Sequence, residues 1–354
     1  MYIVLAIIIF GLLIVTHEIG HFVAAKKLGV KVNEFAFGMG PKLWSKQRGE
    51  TLYAWRLLPI GGACVMEGED ADTPDPRAFT AAKRWKRVVI LAAGAVMNFL
   101  TGLIIVLILG AGIKYIAGTT VDHLAPGFPN EGADGLMAGD KLYAINGNRL
   151  YYDDDFSLFM QLPDATDGAI DLTIVRGGEK ITLRDFPLAP REYTEDGETR
   201  VRYGLSLNAI EPTAGAKLKY SLYTAFNFAR IVKVSLVQLI TGNAGLRDMS
   251  GPVGIVTVIN EAASSPQLKD TGERLRYVFN LAALIAVNLA VMNLLPIPAL
   301  DGGRIFGLFV TFVIEKITRK RVDPKYEGYV HGAGLALLLI LMVVIMVSDI
   351  MKLL

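Results

Sequence analysis

The stretch His17-Glu18-Ile19-Gly20-His21 combines residue types that bind metal ions and move protons. On a helix, side chains four positions apart lie on one face, so the imidazoles of His17 and His21 can bind one metal ion. Glu18 then lies beside the open side of that ion, where it can act as a base. Zinc peptidases have this spacing, and we predict a Zn²⁺ site. Two packed histidines without a metal are the alternative.

The motif follows an apolar run. Residues 1–15 are almost wholly apolar, so the motif completes a segment that is long enough to span a bilayer. Ionisable groups inside such a segment are costly and are usually retained for a function. The run has neither the basic start nor the small-residue cleavage site of a signal peptide, and we expect it to be retained.

Composition indicates a membrane protein with soluble parts. The chain has 354 residues, 52% of them hydrophobic, and a formal net charge of +2. Its mean hydropathy of +0.41 is too high for an ordinary soluble enzyme. The net charge gives no indication of nucleic-acid binding, and none is predicted. The single cysteine, Cys64, excludes an intramolecular disulfide and is predicted to be a packing residue.

Hydropathy and charge predict the topology. Four segments qualify as membrane spans: Tyr2–Ala25, Val88–Ala111, Tyr277–Leu295 and Ala333–Leu353. Residues 26–87 carry twelve Lys and Arg, and residues 314–329 carry five more. Residues 112–220 carry eleven Lys and Arg against seventeen Asp and Glu. The positive-inside rule therefore predicts that the first and third connections are cytoplasmic and that the middle domain and both termini are outside.

The first connection contains β-type runs separated by glycines. Residues 33–66 are predicted to form hairpins, with turns at Gly38, Gly40, Gly61 and Gly62. One interpretation is a β-ribbon without a role. The other is a sheet edge beside the metal that holds an extended peptide by strand addition. Asn98, in the second span, is predicted to face the helix bundle, either as a packing group or as a substrate contact.

The third span ends in Asn-Leu-Leu-Pro-Ile-Pro-Ala-Leu-Asp-Gly-Gly, residues 293–303. Two prolines two residues apart cannot continue a regular helix. A broken backbone at this depth is tolerable where protein encloses it or where it lines a wet cavity. Zinc needs a third protein ligand and an open fourth position, and Asp301 is the candidate. His123 belongs to the outer domain, and His331 begins the last span, where we expect a surface or capping role.

Two stretches resemble known families. The first is residues 135–147, Gly-Leu-Met-Ala-Gly-Asp-Lys-Leu-Tyr-Ala-Ile-Asn-Gly. It resembles a PDZ domain of bacterial envelope proteases. Such a domain either binds a peptide in its groove or is a spacer with a closed groove. The motifs at 17–21 and 293–303 together resemble the site-2 protease family of intramembrane zinc metalloproteases, in its RseP-like bacterial branch. The resemblance covers essentially the whole chain, with a single PDZ domain.

The resemblance implies a function and roles for particular residues. It implies that His17, His21 and Asp301 bind zinc, that Glu18 is the catalytic base and that Asn293 holds substrate. The hairpin insertion of that family resembles residues 33–66, and we predict Gly61, Gly62 and Asn98 as further substrate contacts. Implied substrates are single-pass membrane proteins, such as anti-sigma factors or leftover signal peptides, after trimming by a site-1-type protease. The implied location is the bacterial cytoplasmic membrane.

The predicted fold is an α-helical polytopic membrane protein with four transmembrane helices, membrane-associated β-hairpins and an inserted extracytoplasmic α+β PDZ domain. Its predicted segments are 1–25 (first span), 26–87 (hairpins and basic loop), 88–111 (second span), 112–190 (PDZ domain), 191–276 (linker and amphipathic helix), 277–303 (third span), 304–332 (cytoplasmic loop) and 333–354 (fourth span). The amphipathic segment, about 216–241, is expected in the membrane interface or packed on the domain. A membrane-anchored PDZ adaptor with a non-catalytic metal site is the main alternative. A transporter, a channel and a tethered soluble zinc protease are further alternatives.

Overall fold

The computed structural model describes residues 2–69, 73–166, 168–195, 198–245, 251–264, 270–320 and 322–353. The chain forms two compact units. The membrane unit comprises Met1–Gly110 and Ser221–Leu354, and the inserted unit comprises Ala111–Tyr220.

Long helices dominate the membrane unit. They are α1 (Tyr2–Leu28), α2 (Arg84–Ala111), α5 (Ala214–Ile240, which begins in the inserted unit), α6 (Pro252–Ser264), α7 (Thr271–Asn293), α8 (Asp301–Thr318) and α9 (Pro324–Leu353). In the described chain, α1, α2, α7 and α9 are long and apolar enough to cross a membrane. They correspond to the four predicted spans. Three of them begin before the predicted boundary, because charged residues at their N-terminal ends are excluded by a hydropathy criterion.

Small residues let the helices approach closely. A Cβ atom added at Gly20 of α1 would lie 2.3 Å from the backbone oxygen of Ala93 in α2. At Gly102 of α2 it would lie 2.8 Å from the Val287 side chain of α7. Close backbone approach through glycine is a common way of packing helices in membranes. The first contact fixes α2 against α1, which carries the two histidines, and the second fixes α2 against α7.

A β-hairpin follows α1. It consists of β1 (Val32–Arg48) and β2 (Thr51–Met66). Both strands bend, so the antiparallel pairing forms four segments that lie side by side. Their order is 42–48, 51–56, 32–37 and 62–66; Phe35, for example, pairs with Tyr53 on one side and Cys64 on the other. Residues 62–66 therefore form an edge, and their outer side carries no further strand among the described residues.

Helix α5 resolves the question left open for the amphipathic segment. Ala225, Phe228 and Val232 of this helix are buried. Phe228 packs with Val106 of α2 and Val287 of α7. One face of α5 thus packs on helices of the membrane unit, whereas Leu222, Phe226 and Ile240 are exposed. Packing on these helices differs from both predicted positions, the membrane interface and the inserted domain.

The inserted unit is a sheet with two short helices. The strands are β3 (Ile116–Leu124), β4 (Lys141–Ile145), β5 (Asn148–Arg149), β6 (Ala169–Arg176), β7 (Glu179–Pro187), β8 (Arg191–Glu195), β9 (Glu198–Arg202) and β10 (Leu205–Ile210), and the helices are α3 (Asp153–Phe159) and α4 (Pro163–Thr166). The main sheet has the order β10-β3-β4-β6-β7, and β5 pairs with β4. The Asp140 carboxylate is buried and accepts two hydrogen bonds, both 2.7 Å long, from the Arg176 guanidinium.

Three predicted boundaries need correction. The inserted unit runs past residue 190, because β10 pairs with β3 and closes one side of the sheet. The predicted linker 191–276 consequently contains the last strands of that unit as well as α5 and α6. The predicted loop 304–332 consists mostly of α8 and the start of α9. Charged residues in this segment interrupt its apolar run, so hydropathy did not predict a helix there.

Helix α6 is held by a carboxylate of α9. Asp349 is buried, and its Oδ2 accepts hydrogen bonds from the backbone N–H groups of Gly251 and Gly254, at 2.9 and 2.8 Å. A carboxylate at a helix N-terminus satisfies free N–H groups and interacts favourably with the helix dipole.

Candidate metal centre

Three side chains predicted as metal ligands converge. The Nε2 atoms of His17 and His21 lie 3.1 Å apart. Oδ2 of Asp301 lies 3.1 Å from Nε2 of His17 and 3.3 Å from Nε2 of His21. Within the described part of the chain, this is the one group of three or more His, Cys, Asp or Glu residues arranged to hold a metal ion.

The triangle of ligand atoms fits zinc. Tetrahedral zinc with bonds of about 2.0–2.1 Å places its ligand atoms about 3.3 Å apart, close to the three distances found here. Oδ2 of Asp301 is buried and has no hydrogen-bond partner of acceptable geometry, although it lies near both imidazoles. Its lone pairs are therefore available to a cation. Two imidazoles and one carboxylate leave a fourth position for water.

The loop before α8 positions Asp301. Ala299 has a left-handed backbone conformation, with φ of 76°, which is costly for a residue with a side chain. Its N–H donates a hydrogen bond of 3.0 Å to Nδ1 of His331 in α9. A Cβ atom added at Gly334 would lie 2.3 Å from Pro298. The start of α9 thus packs on the loop, and His331, expected to have a surface or capping role, holds the backbone two residues before Asp301.

Helix α2 orients the His21 ring. Nδ1 of His21 lies 2.8 Å from the backbone oxygen of Ile90. A carbonyl oxygen only accepts, so this ring nitrogen carries the hydrogen and donates. The lone pair of Nε2 is then directed at the triangle. Outer partners of this kind fix the tautomer and the orientation of metal-binding histidines.

Asn98 of α2 orients the His17 ring. The Thr16 hydroxyl lies 2.9 Å from the backbone oxygen of Leu13 and 3.3 Å from a terminal amide atom of Asn98. Its single hydrogen goes to the nearer carbonyl, so the hydroxyl accepts from the Asn98 amide nitrogen. The other amide atom, 3.4 Å from Nδ1 of His17, is then the oxygen and accepts from the ring N–H. Nε2 of His17 is left free for the metal.

This contact changes the interpretation of Asn98. The sequence predicts a substrate contact, but the side chain is only 1% exposed and lies between Thr16 and His17. Burial of its amide favours a positioning role over direct contact with a substrate.

We expect Asn98→Ala to weaken zinc binding about 10- to 100-fold, because loss of an outer hydrogen-bond partner of a metal ligand has effects of this size. Asn98→Asp retains an acceptor for the His17 N–H and should recover most of the affinity. The measurement is zinc competition with a fluorescent chelator. Equal affinity of the wild type and Asn98→Ala would contradict the positioning role.

Gly94 of α2 lies at the site, although it is not among the site residues predicted from the sequence. A Cβ atom added there would lie 2.4 Å from Nε2 of His21 and 2.8 Å from Nε2 of His17. The absence of a side chain therefore makes room for both imidazoles. A signal was available, because Gly94 lies four residues before Asn98 and hence on the same helix face.

We expect Gly94→Ala to displace the imidazoles and reduce zinc content well below one ion per chain, measured by elemental analysis. Gly102→Ala is the matched control, since it adds the same methyl group to α2 at a helix contact away from the histidines. The control should retain zinc. Full zinc content in Gly94→Ala, or equal loss in both variants, would contradict the assignment.

The hairpin edge lies beside Glu18. A Cβ atom added at Gly62 would lie 2.9 Å from Cγ of Glu18. Gly61 has φ of 91°, a conformation that favours glycine. Cys64 is half-buried and packs in the apolar cluster around α1 and α2, consistent with the predicted packing role.

Asn293 ends α7 at the same site. Its amide nitrogen lies 3.5 Å from Nδ1 of His17, and the residue is partly exposed. The sequence motif therefore brings Asn293 and Asp301 to the histidines from opposite ends of the proline-containing loop.

The chain is similar to known metalloproteases over almost its full length. Residues 5–341 match peptidase family M50. A putative zinc metalloprotease of Clostridium acetobutylicum is 38% identical over 349 residues, which cover 98% of this chain and 97% of the relative. The zinc metalloprotease RasP of Geobacillus kaustophilus is 31% identical, with 98% and 97% covered. The regulator of sigma-W protease RasP of Bacillus subtilis is 27% identical, with 98% and 97% covered.

Proposed function

We propose that this chain, which belongs to peptidase family M50, cleaves membrane segments of single-pass proteins that another protease has already trimmed. The chain is a zinc-dependent intramembrane metalloendopeptidase that acts in regulated intramembrane proteolysis. The observation that supports the mechanism is the triangle of His17, His21 and Asp301, with Glu18 next to His17 in the sequence. An anti-sigma factor or a leftover signal peptide is the proposed kind of substrate, and a site-1-type protease would act before this enzyme.

Each residue at the site has a proposed role. His17, His21 and Asp301 hold the zinc ion. When bound, zinc supplies Lewis acidity that polarises the scissile carbonyl and lowers the pKa of water. Glu18 takes a proton from the attacking water and returns it to the leaving amine.

A helical substrate must unwind before its carbonyl group can be attacked, because helical carbonyls are hydrogen-bonded within the helix. The edge formed by residues 62–66 is the proposed docking strand, since its backbone groups can pair with an extended segment beside Glu18. Gly61 permits the bend before this edge, and Gly62 leaves room for Glu18. Asn293 is partly exposed and can donate from its amide to a substrate carbonyl group.

The chain is an integral membrane protein, and we propose the cytoplasmic membrane of a bacterium as its location. The excess of Lys and Arg in residues 26–87 and 314–329 supports a cytoplasmic position for these connections. Both termini and the inserted unit would then lie outside. The motif at 135–147 supports a PDZ domain within that unit, with a tight turn at Asn146-Gly147 between β4 and β5.

We propose that the inserted unit excludes substrates with bulky outer domains. Its deletion tests this filter. A variant in which a Gly/Ser linker replaces residues 112–212 removes the main sheet together with β10, so that no strand of it is left unpaired. We expect the wild type to cleave a trimmed reporter faster than the untrimmed form, and the variant to cleave both at similar rates.

Zinc content near one ion per chain in the deletion variant is the control for an intact membrane unit. Unchanged discrimination between the two reporters would contradict the filter while leaving the protease assignment standing. Absence of zinc-dependent cleavage of the trimmed reporter by the wild type would contradict the proposed substrate class.

A further inference from the structure

Helix α8 has an outward apolar face that no packing among the described residues covers. Phe306, Phe309, Val313 and Ile317 follow one another at helical spacing and are 53%, 62%, 37% and 76% exposed. Leu308, on the opposite face, is only 3% exposed. The helix is therefore amphipathic, with one face packed against the membrane unit and one apolar face open.

Cations from two distant segments meet beside this face. Arg84, at the start of α2, forms an ion pair with Glu315 of α8, and its guanidinium lies 5.2 Å from the ring centre of Phe312. Arg84 and Glu315 are 231 positions apart in the sequence. Their contact brings the basic residues around Arg84 close to those that follow Glu315. The cations at their exposed ends are Lys83, Lys316, Arg319 and Lys320.

The local charge is strongly positive. Glu315 is the single acidic residue of α8 after Asp301, and Arg84 already neutralises it. Trp85 is 56% exposed beside Arg84, at the charged end of a membrane-spanning helix. Tryptophan favours the level of the lipid headgroups, where one part of the ring is in an apolar and the other in a wet environment.

We propose that Lys83, Trp85, Phe309, Val313, Lys316 and Lys320 form a docking surface for anionic phospholipid, here called the α2–α8 surface. The apolar residues of α8 enter the acyl boundary, and the cations contact the negative headgroups. A bilayer leaflet provides both chemistries side by side at the end of a span. Because α8 begins with Asp301, the lipid would anchor the far end of the helix that carries the third zinc ligand.

The full-length protein with Trp44→Phe and Trp55→Phe retains Trp85 as its single tryptophan and provides a local probe. We would place it in nanodiscs of phosphatidylcholine and phosphatidylglycerol, with bromine on the acyl chains of one lipid or the other. Bromine quenches tryptophan fluorescence on contact. We expect brominated phosphatidylglycerol to quench Trp85 more than brominated phosphatidylcholine at the same content, and inorganic phosphate at constant ionic strength to leave this preference unchanged.

The variant Lys316→Gln/Lys320→Gln should lose most of the preference, about fivefold in relative lipid affinity for each cation removed. Lys46→Gln/Arg48→Gln is the matched control, because it removes two exposed cations from the hairpin. It should retain the preference. Equal quenching by the two lipids in the wild type, no quenching by either, or equal loss in both variants would overturn the proposal. None of these readouts depends on proteolysis.

Discussion

The Glu18→Gln variant is expected to retain one zinc ion per chain and to cleave a membrane reporter peptide about a thousandfold more slowly than the wild type. Glutamine has nearly the same shape as glutamate and does not remove any of the three proposed ligands. It cannot take a proton from water near neutral pH. Zinc binding and cleavage should therefore separate in this variant.

The measurements are elemental analysis of the purified protein and the initial rate of reporter cleavage. Glu50→Gln is the matched control, since Glu50 pairs with Lys26 and Arg77 rather than facing the metal centre. The control should be active and contain zinc. Full activity of Glu18→Gln would remove Glu18 as the base. If the chain were an adaptor with a non-catalytic metal site, the wild type would also show no zinc-dependent cleavage.

The sequence could predict which three side chains come together as candidate metal ligands, because local chemistry singles out each one. The spacing of His17 and His21 places them on one helix face, and the two prolines mark the broken backbone that carries Asp301. The structure places Asp301 at these histidines although about three hundred positions separate them. Isolated ionisable groups are costly at membrane depth, and this cost favours their pairing even when they are distant in sequence.

The surroundings of the ligands could not be predicted in the same way. The contact between His331 and Ala299 depends on how α9 packs on the loop, and no local pattern encodes it. The order of the hairpin rows depends on bends at Gly38 and Gly61 that allow one strand to pair on both sides. Hydropathy did not predict α8, because Arg304, Glu315 and Lys316 interrupt its apolar run.

Asp301→Ala is expected to weaken zinc binding more than about a hundredfold, because even the loss of an outer partner of a ligand costs 10- to 100-fold. The side chain contributes one of three atoms of the triangle, and its buried Oδ2 makes no competing hydrogen bond. Removing it leaves two imidazoles, one protein ligand fewer than catalytic zinc sites have. Competition with a chelator measures the affinity, and elemental analysis measures the zinc that remains after purification.

Asp349→Ala distinguishes loss of a ligand from general damage to the membrane unit. Asp349 is also a buried carboxylate of this unit, but it caps α6, and losing such a cap typically costs about 1 kcal/mol. We expect this variant to be somewhat less stable and to bind zinc as the wild type does. Unchanged zinc affinity in Asp301→Ala would remove Asp301 from the ligand set. Equal loss in both variants would show that the effect comes from packing rather than coordination, and the third ligand would then have to be sought elsewhere.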